Sequence, residues 1–189
     1  MGLSEIQTSS IFAISALAWA TTSAFWGRIS DKYGRRNIAI LGLVGYSISL
    51  IALITPLFLA QKNLLNVTLL FPALVLGRLI NGLVGSATRP ASFAYIADIT
   101  SKDNRTVKFA RLESSFLLGT VAGPLVGGFL FLISNETPFY VFSGLAFIAA
   151  IGIYRKLDSV TKKKNTVKKL NKINWYSSTI WPFLAFAAV

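Results

Sequence analysis

Gly27-Arg-Ile-Ser-Asp-Lys-Tyr-Gly-Arg-Arg36 sets five charges, Arg28, Asp31, Lys32, Arg35 and Arg36, between two long apolar stretches. Charges at that density cannot rest in hydrocarbon, so the decapeptide belongs at a membrane face. Gly27 and Gly34 suit a tight connection in which larger side chains would clash. The rest of the chain fits a membrane setting. Its hydrophobic fraction is 53%, its mean hydropathy +0.60 and its charged fraction 14%, against about a quarter charged in soluble domains.

Apolar segments near the roughly 20 residues needed to cross a bilayer recur along the chain. They predict spans over about 6–27, 38–59, 70–97, 109–133 and 138–154, with a further span starting at 175. The fold class expected is an all-α, polytopic transmembrane helix bundle. The first segment carries Glu5 and lacks a basic leader, which argues against a signal peptide.

The net charge of +12 invites a nucleic-acid reading, but its distribution opposes one. Four Lys/Arg lie within 28–36, four within 102–111 and eight within 155–172, while the alternate loops hold only Lys62. Alternation of basic and non-basic loops is the positive-inside pattern. It predicts that 28–36, 98–108 and a basic loop over 155–174 face the cytoplasm, with the N-terminus outside. That basic loop reads as a linker attracted to anionic headgroups. The sequons at Asn66 and Asn135 read as chance. With no His and no Cys, zinc centres, imidazole chemistry, thiol nucleophiles and disulfides are excluded. No metal site or cofactor is expected, and no set of nucleophile, base and orienting group suggests an enzyme.

The decapeptide resembles the G-x-x-x-D-[RK]-x-G-R-[RK] signature of the major facilitator superfamily of transporters, matched by Gly27, Asp31, Lys32, Gly34, Arg35 and Arg36. In that family the turn latches two halves together on the cytoplasmic side and opens when the protein changes state. The resemblance also sets a carboxylate from a neighbouring helix end opposite an arginine of the turn, which makes Asp98–Arg35 the expected pair. Arg78-Leu-Ile-Asn-Gly-Leu-Val-Gly-Ser-Ala87 is similar to a second family motif, R-x-x-[QN]-G-x-G-x-A, except that Gly82 and Gly85 stand three apart. Gly119-x-x-x-Gly123-Pro124-x-x-Gly127-Gly128 is similar to the antiporter-branch motif. With Phe93-Ala-Tyr-Ile-Ala-Asp-Ile-Thr100, Arg105 and Pro138-Phe139, the resemblance is greatest to the tetracycline/proton and related drug/proton antiporters.

That resemblance implies twelve helices in two pseudo-symmetric halves with alternating access around a central site. This chain then matches the family's helices 2 to 6 and the start of helix 7, the N-terminal half without helix 1. Its expected home is the bacterial cytoplasmic (inner) membrane, and its expected partners are a small-molecule substrate, protons, the bilayer and the other half of the transporter.

Spacing adds detail. Arg78 and Arg89 are eleven residues apart, only about 20° around a helix, and Asn81, Gly82, Gly85 and Ser92 accompany them on the segment. A single cationic, small-residue stripe is expected there, with a kink at Pro90. A buried arginine in a membrane span is a candidate for a translocation path. Ser115, Gly119, Gly123 and Gly127 recur every four residues and predict close packing of the fourth span against a neighbour. Proton coupling needs a titratable group within the membrane. Glu113 is the one acid inside an expected span, either as a proton site or paired with Arg111 or Lys108. Three functions remain open: proton-coupled drug export, facilitation of an anionic solute through Arg78 and Arg89, and a non-transporting scaffold or truncated product.

Overall fold

The computed structural model describes residues 4–157, and within them every regular element is helical. Six α-helices follow in order: α1 (Glu5–Tyr33), α2 (Arg35–Gln61), α3 (Val67–Leu83), α4 (Thr88–Ile99), α5 (Lys102–Phe131) and α6 (Thr137–Lys156). A 3-10 turn, Gly85–Ala87, joins α3 to α4, so the two act as one bent rod. Four stretches, Arg35–Gln61, Thr68–Ile99, Lys102–Phe131 and Thr137–Lys156, are long and apolar enough to cross a membrane. The helix α1 has the length, at 29 residues, but carries more hydroxyls. Most of the expected basic loop and the whole further span lie outside the described residues.

Local signals explain the helix starts. Ser4 and Gln7 form a reciprocal capping box at α1. Asn66 caps α3 by accepting from the Thr68 amide at 3.2 Å. Pro138 lies in the first turn of α6, where its missing N–H costs nothing.

The centre of the bundle is α2, which packs on α6 along one side and on α3 and α4 along the other. Small residues make this possible. A Cβ on Gly42 would stand 2.6 Å from the Thr88 amide nitrogen, and one on Gly45 would stand 2.8 Å from Val84 Cβ. Ser49 Oγ donates to the Gly77 carbonyl at 2.8 Å. On the opposite side, Ser47 and Ser143 each donate to the other's carbonyl, at 3.0 and 3.1 Å, in a buried clasp between α2 and α6. Such contacts suit a bilayer, where close backbone approach and interhelical hydrogen bonds drive association.

In place of a kink at Pro90 itself, the winding tightens into a 3-10 turn just before it, at Gly85–Ala87. A proline cannot donate to the carbonyl four residues back and its ring presses on it, so the preceding turn tightens. The Ala87 amide bonds to Val84 O at 3.0 Å, which frees the Leu83 carbonyl. In hydrocarbon a freed carbonyl needs a partner. Trp26 Nε1 of α1 supplies it at 2.6 Å. Thr22 Oγ1 donates to Gly82 O at 3.0 Å and Ser15 Oγ to Arg78 O at 3.0 Å. The helix α1 therefore runs parallel to the bent rod and stitches its exposed carbonyls.

Candidate functional site

The charged decapeptide is a corner built on one residue. The helix α1 continues to Tyr33 and α2 begins at Arg35, leaving Gly34 at φ +94° as the pivot. That conformation is left to glycine because a Cβ would clash. Gly27, expected in the turn, instead lies inside α1, where an added Cβ would stand 4.0 Å from Pro90 Cβ, so no close approach requires a glycine there. Its contribution is its carbonyl.

Arg35, 6% exposed, gathers the corner. Its Nε donates to Asp98 Oδ2 at 3.1 Å, and its Nη1 donates to Ser30 Oγ at 2.6 Å and to the Gly27 carbonyl at 3.3 Å. Its Nη2 pairs with Asp31 one turn back. One guanidinium thus ties α1, α2 and α4 together. Lys32 takes no part and lies over the Tyr33 ring at 5.3 Å. Arg36 points the other way: its Nη1 donates to Leu157 O at 2.9 Å and its guanidinium sits 5.2 Å from the Tyr154 ring centroid. The basic stretches at 28–36, 98–108 and 155–157 consequently meet at one end of the bundle.

The residues expected to form one stripe fall into two sites, because the 3-10 turn interrupts the helical phase. Arg78, on α3, stacks over Phe12 at 5.0 Å, and its buried Nε has no hydrogen-bond partner among the described residues. It lines an apolar cavity of about 330 Å³ with Ile11, Leu53, Leu74 and Phe139. Between the arginines, Gly82 lets α1 approach so closely that a Cβ would stand 2.6 Å from Ser15 O. Gly85 leaves room for the side chain of buried Asn81, whose Oδ1 is also unpartnered. Gly82 thus serves close packing against α1, while Gly85 also lines the cleft beside Arg89.

Arg89, on α4, pairs with Glu113 of α5. Glu113 was expected to meet Arg111 or Lys108. The bend between α3 and α4 turns Arg89 towards α5 instead and gives the acid a partner on another helix. The guanidinium also lies 5.3 Å from the Phe116 ring centroid and 5.9 Å from that of Phe93. Both members remain accessible, at 51% and 39% side-chain exposure. Beside the pair opens a cleft of about 470 Å³ walled by Trp19, Tyr46, Thr88, Phe116, Gly119 and Thr120. A charged pair at the edge of an aromatic cleft can exchange partners with a polar ligand.

The glycine ladder of α5 does not make the contact expected of it. Nothing lies within 4 Å of a Cβ built on Gly119, Gly123 or Gly128, and only Gly127 meets a neighbour, Phe142 at 3.6 Å. Pro124 sits within the same helix. Among the described elements α5 touches α4 and α6 alone, so the ladder faces open space. The close-packing glycines are Gly42, Gly45, Gly77 and Gly82. On α2, the spacing of Gly42, Gly45, Ser49 and Ala52 was a readable small-residue signal. Trp26 had none, because its role depends on a carbonyl freed on another helix. No group of three or more His, Cys, Asp or Glu among the described residues could hold a metal ion.

Comparison with known proteins matches residues 1–189 to the sequence model of the Major Facilitator Superfamily. The chain belongs to the Major Facilitator Superfamily. This superfamily member is 37% identical over 131 residues to the tetracycline resistance protein, class B, of Escherichia coli, covering 69% of this chain and 29% of that protein. It is 30% identical over 182 residues to the quinolone resistance protein NorA of Staphylococcus aureus (strain Mu50 / ATCC 700699), covering 93% of this chain and 44% of that protein. The chain thus spans less than half the length of these curated relatives. It is a transporter-family, multi-pass integral protein of the bacterial cytoplasmic membrane, built as an all-α bundle.

Proposed function

We propose that this chain forms one half of a secondary active transporter that exports drugs or other small molecules in exchange for protons by alternating access. The names of the two relatives support an exported drug as substrate. The observation that carries the mechanism is the Arg89–Glu113 pair at the rim of the aromatic cleft. Substrate would enter the cleft against Trp19, Tyr46 and Phe116, and Glu113 would take up a proton as Arg89 is released. The pair joins α5 to α4 together with the Phe93 contacts to Phe109 and Phe116 and the Arg105 bond to the Ala97 carbonyl, and its release would loosen that attachment. The Arg35 knot would act on the cytoplasmic side, closing when Asp31 and Asp98 share the guanidinium and opening as α4 withdraws. Sites in this fold form between two halves, so the cleft needs further helices to close it.

A second reading has its own observation. Arg78, with an unpartnered Nε in an apolar cavity, suits an anionic solute carried without proton exchange.

Everted vesicles carrying the whole protein test the first reading. Ethidium uptake should follow the pH gradient, stop when an ionophore collapses that gradient, and fall at least tenfold with Glu113→Gln. Uptake that survives both treatments refutes proton exchange through Glu113.

A further inference from the structure

We propose that the basic end of the bundle holds a site for an anionic phospholipid, between α2, α4, α5 and α6. A cleft of about 480 Å³ opens there, with Arg36 and Lys156 at its rim and Ile96, Ile99, Leu112 and Ile153 along its walls. A second basic cleft, holding Lys108 and Arg111, shares Ile96 and Ile99 with it. The two adjoin, and they bring Arg36, Lys156, Lys108 and Arg111 beside a set of apolar side chains. That arrangement matches the two ends of a phospholipid.

Arg36 is set up for a phosphate. Its Nη1 is anchored to Leu157 O and its plane is braced by Tyr154, yet its Nε is buried without a partner among the described residues. A guanidinium with a spare N–H suits a phosphate oxygen. Tyr95 and Ser92, on the same walls, offer hydroxyls. The end of the bundle that carries these cations lies at the bilayer interface, where anionic headgroups stand and each nearby Lys or Arg contributes about fivefold in affinity.

The chain's own basic stretch is a poor occupant. Residues 162–172 hold six Lys, and like charge would repel them from Arg36, Lys108, Arg111 and Lys156. A free phosphate would use the rim but leave the isoleucine and leucine walls facing water. The apolar walls favour a ligand with acyl chains.

Native mass spectrometry of the purified chain, released from nanodiscs of equal phosphatidylglycerol and phosphatidylcholine, reads the site. Phosphatidylglycerol should be retained at least fivefold over phosphatidylcholine. Lys156→Gln should reduce that preference about fivefold, and Leu112→Trp, which fills the groove and keeps every charge, should reduce it as much. Lys102→Gln, on the same end but outside the groove, should leave it unchanged. Thermal unfolding of each variant confirms that it is folded before its lipid content is compared. Equal retention of the two lipids overturns the site. Loss of the preference with Lys102→Gln but not with Leu112→Trp reduces it to diffuse attraction and also overturns it. Displacement of the lipid by millimolar glycerol phosphate would assign the groove to a soluble phosphate instead.

Discussion

Asp31 and Asp98 both hold Arg35, but the structure makes them unequal. The Asp31 side chain is 48% exposed and Asp98 20%. An exposed ion pair one helical turn apart is screened by water and contributes about 0.2–1 kcal/mol. The Arg35–Asp98 bond joins α2 to α4 in a more shielded place. A charge-assisted bond contributes about 1.5–3 kcal/mol, and an amide acceptor recovers about half. Asp98→Asn should therefore cost about 1–2 kcal/mol and Asp31→Asn about 0.5 kcal/mol. In a chain of this size those figures correspond to Tm losses of about 3–6 °C and 1–2 °C. The double variant leaves a buried guanidinium with no counter-ion, at a cost of about 3–5 kcal/mol. Its loss should exceed the sum of the single ones. Thermal unfolding of the purified protein in detergent reads all three. An Asp31→Asn loss equal to that of Asp98→Asn, or a double variant that is merely additive, would refute the view that one buried guanidinium joins these helices.

Gly42→Leu should destabilise the bundle by about 3 kcal/mol or more, since the side chain has to enter the Thr88 backbone, whereas Gly123→Leu should leave the Tm of this chain unchanged; equal effects in thermal unfolding would contradict the packing. A cysteine replacing exposed Lys32 should resist an impermeant thiol reagent applied to intact cells and react in everted vesicles, and the opposite pattern would invert the orientation proposed for the basic end. Gly34→Ala should cost about 1 kcal/mol through its left-handed φ, and a stabilising result would show that the corner relaxes to another conformation. The 189-residue chain reconstituted alone with a pH gradient should take up no ethidium, because its cleft is open on one side; uptake would place a whole path within it.

Helices, family and the clustering of basic segments at one end were legible because each rests on composition and local spacing. The Arg35–Asp98 contact was named through a resemblance, not through geometry. The single stripe through Arg78 and Arg89 failed because an unbroken helix was assumed, and three residues of tighter winding turn Arg89 towards α5. The same bend hid the partner of Glu113. The ladder on α5 has the right period for packing, but period alone does not say which helix answers it. On α2, Gly42 and Gly45 have a less regular period and a real neighbour. Contacts that join residues 57 to 63 positions apart, such as Trp26 with Leu83, have no local signature at all.

Those long-range stitches bear on how the chain is made. Among the helices of membrane length, α1 falls outside the four apolar enough to cross on composition alone. Ser15, Thr22 and Trp26 find their acceptors on α3, whose residues leave the ribosome 63, 60 and 57 positions later. Until then its hydroxyls and indole have to be satisfied by water, by its own backbone or by headgroups. The cross-helix bonds of α1 are therefore completed only when α3 arrives beside it. The order of synthesis, and not only the final packing, is written into where this protein places its polar side chains.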